Sequence, residues 1–149
     1  MYRNNYNNHH KNRFVENWKA IPINFAENSY VQEAENVILE MKSKNFKCGR
    51  KQDELTNSQL RNLLSLTSTI YDEVLSQGFE SITDRLAYLR IQFVYQSGRN
   101  EAVKKLVELA DILNILAEVQ DKKSKALLIR FCHYMEALVA YFKFYGGKD

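Results

Sequence analysis

Turn-forming residues are scarce in this chain of 149 residues, with 5 Gly and a single proline, Pro22. An all-β sandwich or barrel needs a turn every 8–12 residues or so, and this supply is too thin for one. Cysteine is scarcer still. Cys48 and Cys132 cannot build a disulfide framework, so the chain reads as cytoplasmic with free thiols. No apolar run approaches the roughly 20 residues that cross a bilayer, so no membrane partner is expected. The opening Met1-Tyr2-Arg3-Asn4-Asn5 lacks the apolar segment of a secretory signal. An excess of one charge is missing too: 21 Lys plus Arg stand against 18 Asp plus Glu, a net charge of +3. Such a balance does not announce a nucleic-acid binder, so any nucleic-acid site must come from where the cations fall. No Gly-rich phosphate loop, His-Glu-x-x-His or Cys-x-x-Cys motif occurs.

What is present is 45% hydrophobic residues in a length that suits one domain. Residues 1–28 differ from the rest. They hold eight Asn, the pair His9-His10 and Pro22, with a short apolar patch from Ile21 to Phe25. They read as a flexible or loosely docked N-terminal tail. Two adjacent histidines without a Cys or acidic partner make a poor metal site, and neither metal nor cofactor is expected. Residues 29–149 read as a helical bundle domain.

The helical signals repeat along that domain. Ser29 with Gln32 has capping-box spacing, before the stripe Val31, Ala34, Val37, Ile38 and Met41. Residues 42–55, carrying Lys42, Lys44, Lys47, Gly49, Arg50 and Lys51, read as a mobile loop. Thr56 with Gln59 opens a second helix that runs to Gly78. Ser81 starts a third with the stripe Ile82, Leu86, Leu89 and Phe93, closed by Gly98. Asn100 caps a fourth with Val103, Leu106, Val107, Ala110, Leu113 and Leu116. A charged turn from Asp121 to Lys125 leads into a fifth, from about Ser124 to Tyr145. The fold class expected is all-α, a compact bundle of about five helices.

Candidate chemistry is thin. Cys132 beside His133 invites a nucleophile reading, but adjacent helical residues point about 100° apart. Cys132 falls on the apolar stripe between Leu128 and Met135, which makes it an inert buried thiol. His133 and Glu136 read as a surface pair. No catalytic residues are assigned, and the chain reads as a non-enzyme.

A second pattern does not serve the core. On the third helix Arg85, Gln92 and Arg99 recur at heptad spacing and drift only about 20° per step, with Tyr88 and Tyr95 alongside. On the fifth, Lys123, Arg130 and Tyr141 project within roughly 20° of one another, with Tyr134 close by. Arginine grips phosphate with paired hydrogen bonds, and tyrosine hydroxyls reach phosphates or 2′-hydroxyls. The ordinary alternative is a solvated face on which Arg85 pairs with Asp84 or Glu80, and Arg99 with Glu101. The segment from Ala137 to Tyr145 is apolar nearly all round. Either its helix is central in the bundle, or part of it packs against another subunit.

Three stretches carry a family resemblance: Leu60-Arg61-Asn62-Leu63-Leu64, Tyr88 through Arg99, and Met135 through Lys148. They resemble the small subunit of the type III-A CRISPR effector, the Csm complex, over roughly residues 29–149. The resemblance implies a non-catalytic, all-helical, RNA-binding subunit acting in antiviral defence. Copies of it would stack into the minor filament of a ribonucleoprotein. They would hold target RNA paired to guide RNA by its backbone, beside the backbone and large subunits. Carried over by position, the implied RNA-binding residues are Arg61, Arg85, Arg90, Arg99, Arg130 and Lys143. Arg90 lies about 140° from Arg85 around the helix, which allows it a role at a neighbouring subunit instead. A purely architectural subunit without RNA contact is the alternative.

Overall fold

The computed structural model describes residues 14–149; residues 1–13, with His9-His10, lie outside the described residues. In chain order come α1 (Tyr30–Ser43), β1 (Lys47–Cys48), β2 (Asp53–Glu54) and α2 (Asn57–Gln77). A 3₁₀ turn (Phe79–Ile82) then leads to α3 (Thr83–Arg99), α4 (Glu101–Leu109), α5 (Ile112–Lys122) and α6 (Lys125–Phe144). The all-α class holds, with six helices among the described residues.

The added helix comes from dividing the expected fourth one. Ala102, Val103, Leu106 and Val107 are buried on α4, and Ile112, Ile115, Leu116 and Val119 on α5. On one continuous helix the two stripes would centre roughly 160° apart, and one would face water. The chain breaks at Asp111, which takes a left-handed φ of 57°, and re-aims the second stripe inward. Aspartate tolerates that conformation better than most residues.

α6 is the central element. It packs against α1, α2 and α5, and buries Leu128, Phe131, Cys132, Tyr134, Met135, Leu138 and Phe142. This answers the question left by its apolar end. Phe142 meets Phe46 edge-on at 5.0 Å, while Phe144 alone of that cluster stands 77% exposed. Fully burying one such ring contributes about 1.5–3 kcal/mol.

Caps follow the sequence in three of five cases; Ser81 does not start α3, which begins at Thr83, and its Oγ donates instead to Gly78 O at 2.9 Å within the 3₁₀ turn. Gln59 Oε1 accepts the Thr56 N–H at 2.8 Å, completing a capping box. Asn100 Oδ1 accepts the N–H groups of Ala102 and Val103 at 2.8 and 3.0 Å, and Ser124 Oγ that of Leu127 at 3.1 Å. Ser29 does not cap α1 with its side chain. Its Oγ accepts the Ala26 N–H at 3.1 Å, and Gln32 donates to Glu35 and Asn36 instead.

Two further expectations change. Gly98 lies inside α3 rather than closing it, since Asn100 N–H still donates to Gln96 O. Residues 42–55 are not an open loop: α1 runs to Ser43, and Lys47–Cys48 pairs antiparallel with Asp53–Glu54. Phe46 and Leu55 are buried beneath this ribbon, and apolar anchors at both ends hold it on the bundle.

Residues 14–28 lie along the bundle without helix. The buried Glu33 accepts the backbone N–H groups of Asn24 at 2.5 Å and Phe25 at 2.9 Å. Those bonds satisfy a carboxylate that would otherwise be costly to bury. The Phe25 ring is buried against Tyr134, 5.4 Å between centroids.

Candidate nucleic-acid interface

α3 is the most exposed helix face with aromatic and basic character. Only Leu86, Leu89 and Phe93 are buried on it, a narrow i, i+3, i+7 stripe. Its outward side carries Tyr88, Ile91, Val94 and Tyr95, each more than half exposed. Arg99, in the last turn, sets its guanidinium 5.6 Å over the Tyr95 ring. A cation at that end also complements the helix dipole.

The elbow between α3 and α4 meets the tip of the β-ribbon. Asn100 Nδ2 donates to Glu54 O at 3.2 Å, and the Glu101 N–H donates to Asp53 Oδ2 at 2.9 Å. Gly49 lies against the Glu101 side chain: a Cβ there would come within 2.6 Å of Oε2, and its φ of 83° already favours glycine. The Gly49 N–H donates to Glu16 Oε1 at 2.5 Å. Ribbon tip and elbow thus enclose a cleft lined by Arg50, Lys51, Asp53, Gly98, Arg99, Asn100 and Glu101.

The six residues expected to bind RNA do not form one stripe. Arg99 lies in this cleft. Arg90 is exposed on another side of α3. Arg85 forms an ion pair with Glu73 of α2 at 2.6 Å, a partner neither Asp84 nor Glu80 supplies. Arg61 is exposed on α2, and both it and Lys143 act on Asp149. Lys143 reaches the Asp149 carboxylate at 3.2 Å, and Asn57 Nδ2 donates to it at 2.9 Å. The Asn57 bond first, then the Lys143 ammonium, holds the Asp149 carboxyl below its ordinary value of 3.8. Arg130 is half-buried. It donates to Phe25 O at 3.0 Å and lies 5.7 Å over the Phe25 ring, so it fastens residues 14–28 to α6.

Tyr134 is not on a surface stripe. It is fully buried, donates to Ala110 O at 2.9 Å, and burial drives its phenol far above the ordinary range. Its neighbours Phe131 and Met135 face the core, and helical angle alone could not reveal that a third direction was also covered. Sequence reasoning placed Arg50 and Lys51 in a mobile loop and counted neither among the RNA-binding residues. The Lys-Cys-Gly-Arg-Lys run could have flagged a turn, but nothing local shows which elbow it meets.

The thiols carry no catalytic geometry. Burial pushes Cys132 up to about 12, and its Sγ lies 3.8 Å from Thr67 O. Cys48 is raised to about 11, mainly by burial and then by Glu16. The His133 ring packs 5.7 Å from that of Tyr71. Among the described residues, no three His, Cys, Asp or Glu side chains gather as a metal site, and no helix is long and apolar enough to cross a membrane.

The family model described as Csm2 Type III-A matches residues 32–148. The CRISPR system Cms protein Csm2 of Streptococcus thermophilus is 57% identical over 95 residues, 64% of this chain and 76% of that protein. The protein of the same name from Mycobacterium tuberculosis strain H37Rv is 45% identical over 100 residues, covering 64% and 79%. That from Enterococcus italicus is 39% identical over 99 residues, covering 64% and 71%.

Proposed function

Because this chain belongs to the Csm2 family, the small subunits of type III-A CRISPR effectors, we propose that it binds RNA as a non-catalytic subunit of that cytoplasmic antiviral particle. Copies of the chain stack beside the backbone and large subunits. Together they hold target RNA, paired to guide RNA, by its sugar-phosphate backbone. Base pairing supplies the sequence choice, so the protein needs only to track phosphates. One copy offers few cations, and stacking lines them into a longer positive track.

The observation that carries this reading is the exposed set on α2 and α3. Arg61, Arg90 and Arg99 have no carboxylate partner within ion-pair distance among the described residues; Tyr95 stands open beneath the Arg99 guanidinium, and Tyr88 is exposed three turns earlier on α3. Arg85 and Lys143 each spend their charge on a carboxylate, and Arg130 on a backbone carbonyl. They are the weaker RNA contacts of the six.

The test is Arg61→Ala combined with Arg90→Ala, in the effector complex assembled with its other subunits. Target-RNA retention is expected to fall, with a shallower salt dependence, while subunit stoichiometry stays unchanged. Full retention by an intact complex would reject these contacts. A second reading is favoured by Ile91 and Val94, which are 60% and 52% exposed on α3. A purely architectural subunit would use that face and its cations against protein, and the same variant would then lose assembly before RNA.

A further inference from the structure

We propose that the cleft between the β-ribbon tip and the α3–α4 elbow is a phosphate-binding site, in which Arg50, Lys51 and Arg99 grip the backbone of an RNA strand beside the Tyr95 ring. The inference rests on the RNA-binding reading above, and adds a site made from the ribbon.

Three observations support it. First, three cations from two segments, Arg50 and Lys51 of the ribbon tip and Arg99 of α3, line one concavity. None of the three has a carboxylate within ion-pair distance among the described residues. Bringing three like charges together costs energy that an anion would return.

Second, the two acids of the cleft already serve the fold. Asp53 accepts the first N–H of α4, and the Glu101 side chain lies against Gly49. Cations outnumber acids three to two. The cleft therefore stays positive without losing the groups that shape it.

Third, the cleft is braced. The ribbon is tied to the elbow through Asn100 Nδ2 to Glu54 O and Glu101 N–H to Asp53, and its tip is tied to the leading segment through Gly49 N–H to Glu16. Gln52 closes the tip itself, its N–H and Nε2 both bonding Gly49 O, at 3.0 and 2.9 Å. A held scaffold lowers the ordering cost of binding. Arg99 already rests over Tyr95, which leaves an aromatic surface beside the phosphate position for a ribose or base. An acidic peptide would also meet these cations, and the test separates the two.

The test uses the assembled effector complex with a labelled target RNA, titrated at graded salt. Arg50→Gln/Lys51→Gln is compared with Lys122→Gln/Lys125→Gln, which removes the same charge at the exposed α5–α6 turn. The ribbon variant is expected to lose several-fold in RNA affinity and to reduce the salt slope by about 1–2, the share of two phosphate contacts. The turn variant is expected to stay near wild type. If the ribbon variant binds as wild type while Arg61→Ala/Arg90→Ala loses RNA, the cleft is wrong and the RNA-binding reading stands. If all three bind as wild type across the salt range, both are wrong. If the ribbon variant drops out of the particle instead of losing RNA, the cleft meets protein and the inference is overturned.

Discussion

Arg130 and Arg99 each lie over an aromatic ring, at 5.7 and 5.6 Å, yet the two regions around them differ in kind. At the α6 seam the ring is Phe25, buried, with Glu33 fixing its backbone and Phe25 O accepting from Arg130. At the α3–α4 elbow the ring is Tyr95, more than half exposed, and the guanidinium has no carboxylate within ion-pair distance. An arginine over an aromatic ring closes the fold in one place and leaves an open surface in the other. What separates them is the availability of a buried backbone acceptor.

Substitution can break this contrast, most sharply at the seam. Phe25→Ala removes a buried ring and is expected to cost about 3 kcal/mol or more, read by denaturant unfolding. Arg130→Ala deletes a charge-assisted bond and is expected to cost about 1–2 kcal/mol in the same assay. RNA retention per folded complex should stay nearly constant. At the elbow, Asn100→Ala loses the cap of α4 and is expected to cost about 1 kcal/mol. Arg99→Ala should move stability by less than about 0.5 kcal/mol while weakening RNA retention. A stability loss for Arg99→Ala equal to that of Arg130→Ala would erase the distinction.

The smallest effect is expected with pH, at the exposed Asp149. Its carboxyl is held below the ordinary 3.8, so its contribution to stability is complete above that value. It fades as pH falls through the lower folded value. The gap between wild type and Asp149→Asn should therefore close in acid. A gap that persists at low pH would mean that Asp149 acts without its charge.

Most of the helices could be read from the sequence because their caps and stripes are local. Thr56, Asn100 and Ser124 mark starts that depend on the next three residues alone. The division at Asp111 could also be read, from the phase jump between Val107 and Ile112, but a stripe chosen for continuity hides it. The ribbon could not be read, because two residues per strand give no period. The candidate interface was legible as residue types and not as groupings. Arg85 finds Glu73 on another helix, and Arg99 finds Arg50 and Lys51 about fifty positions away. Such pairings depend on how elements dock, which helical angle cannot supply.

Trp18 is the sole tryptophan of the chain. Its ring is flanked by Lys44 at 5.4 Å and Lys105 at 5.5 Å, and its indole N–H donates to Glu16 at 2.6 Å. The molecule therefore carries its own optical gauge. Indole emission tracks whether the leading segment is seated across α1 and α4, and a spectral change that precedes loss of helical ellipticity would time its departure separately from collapse of the bundle.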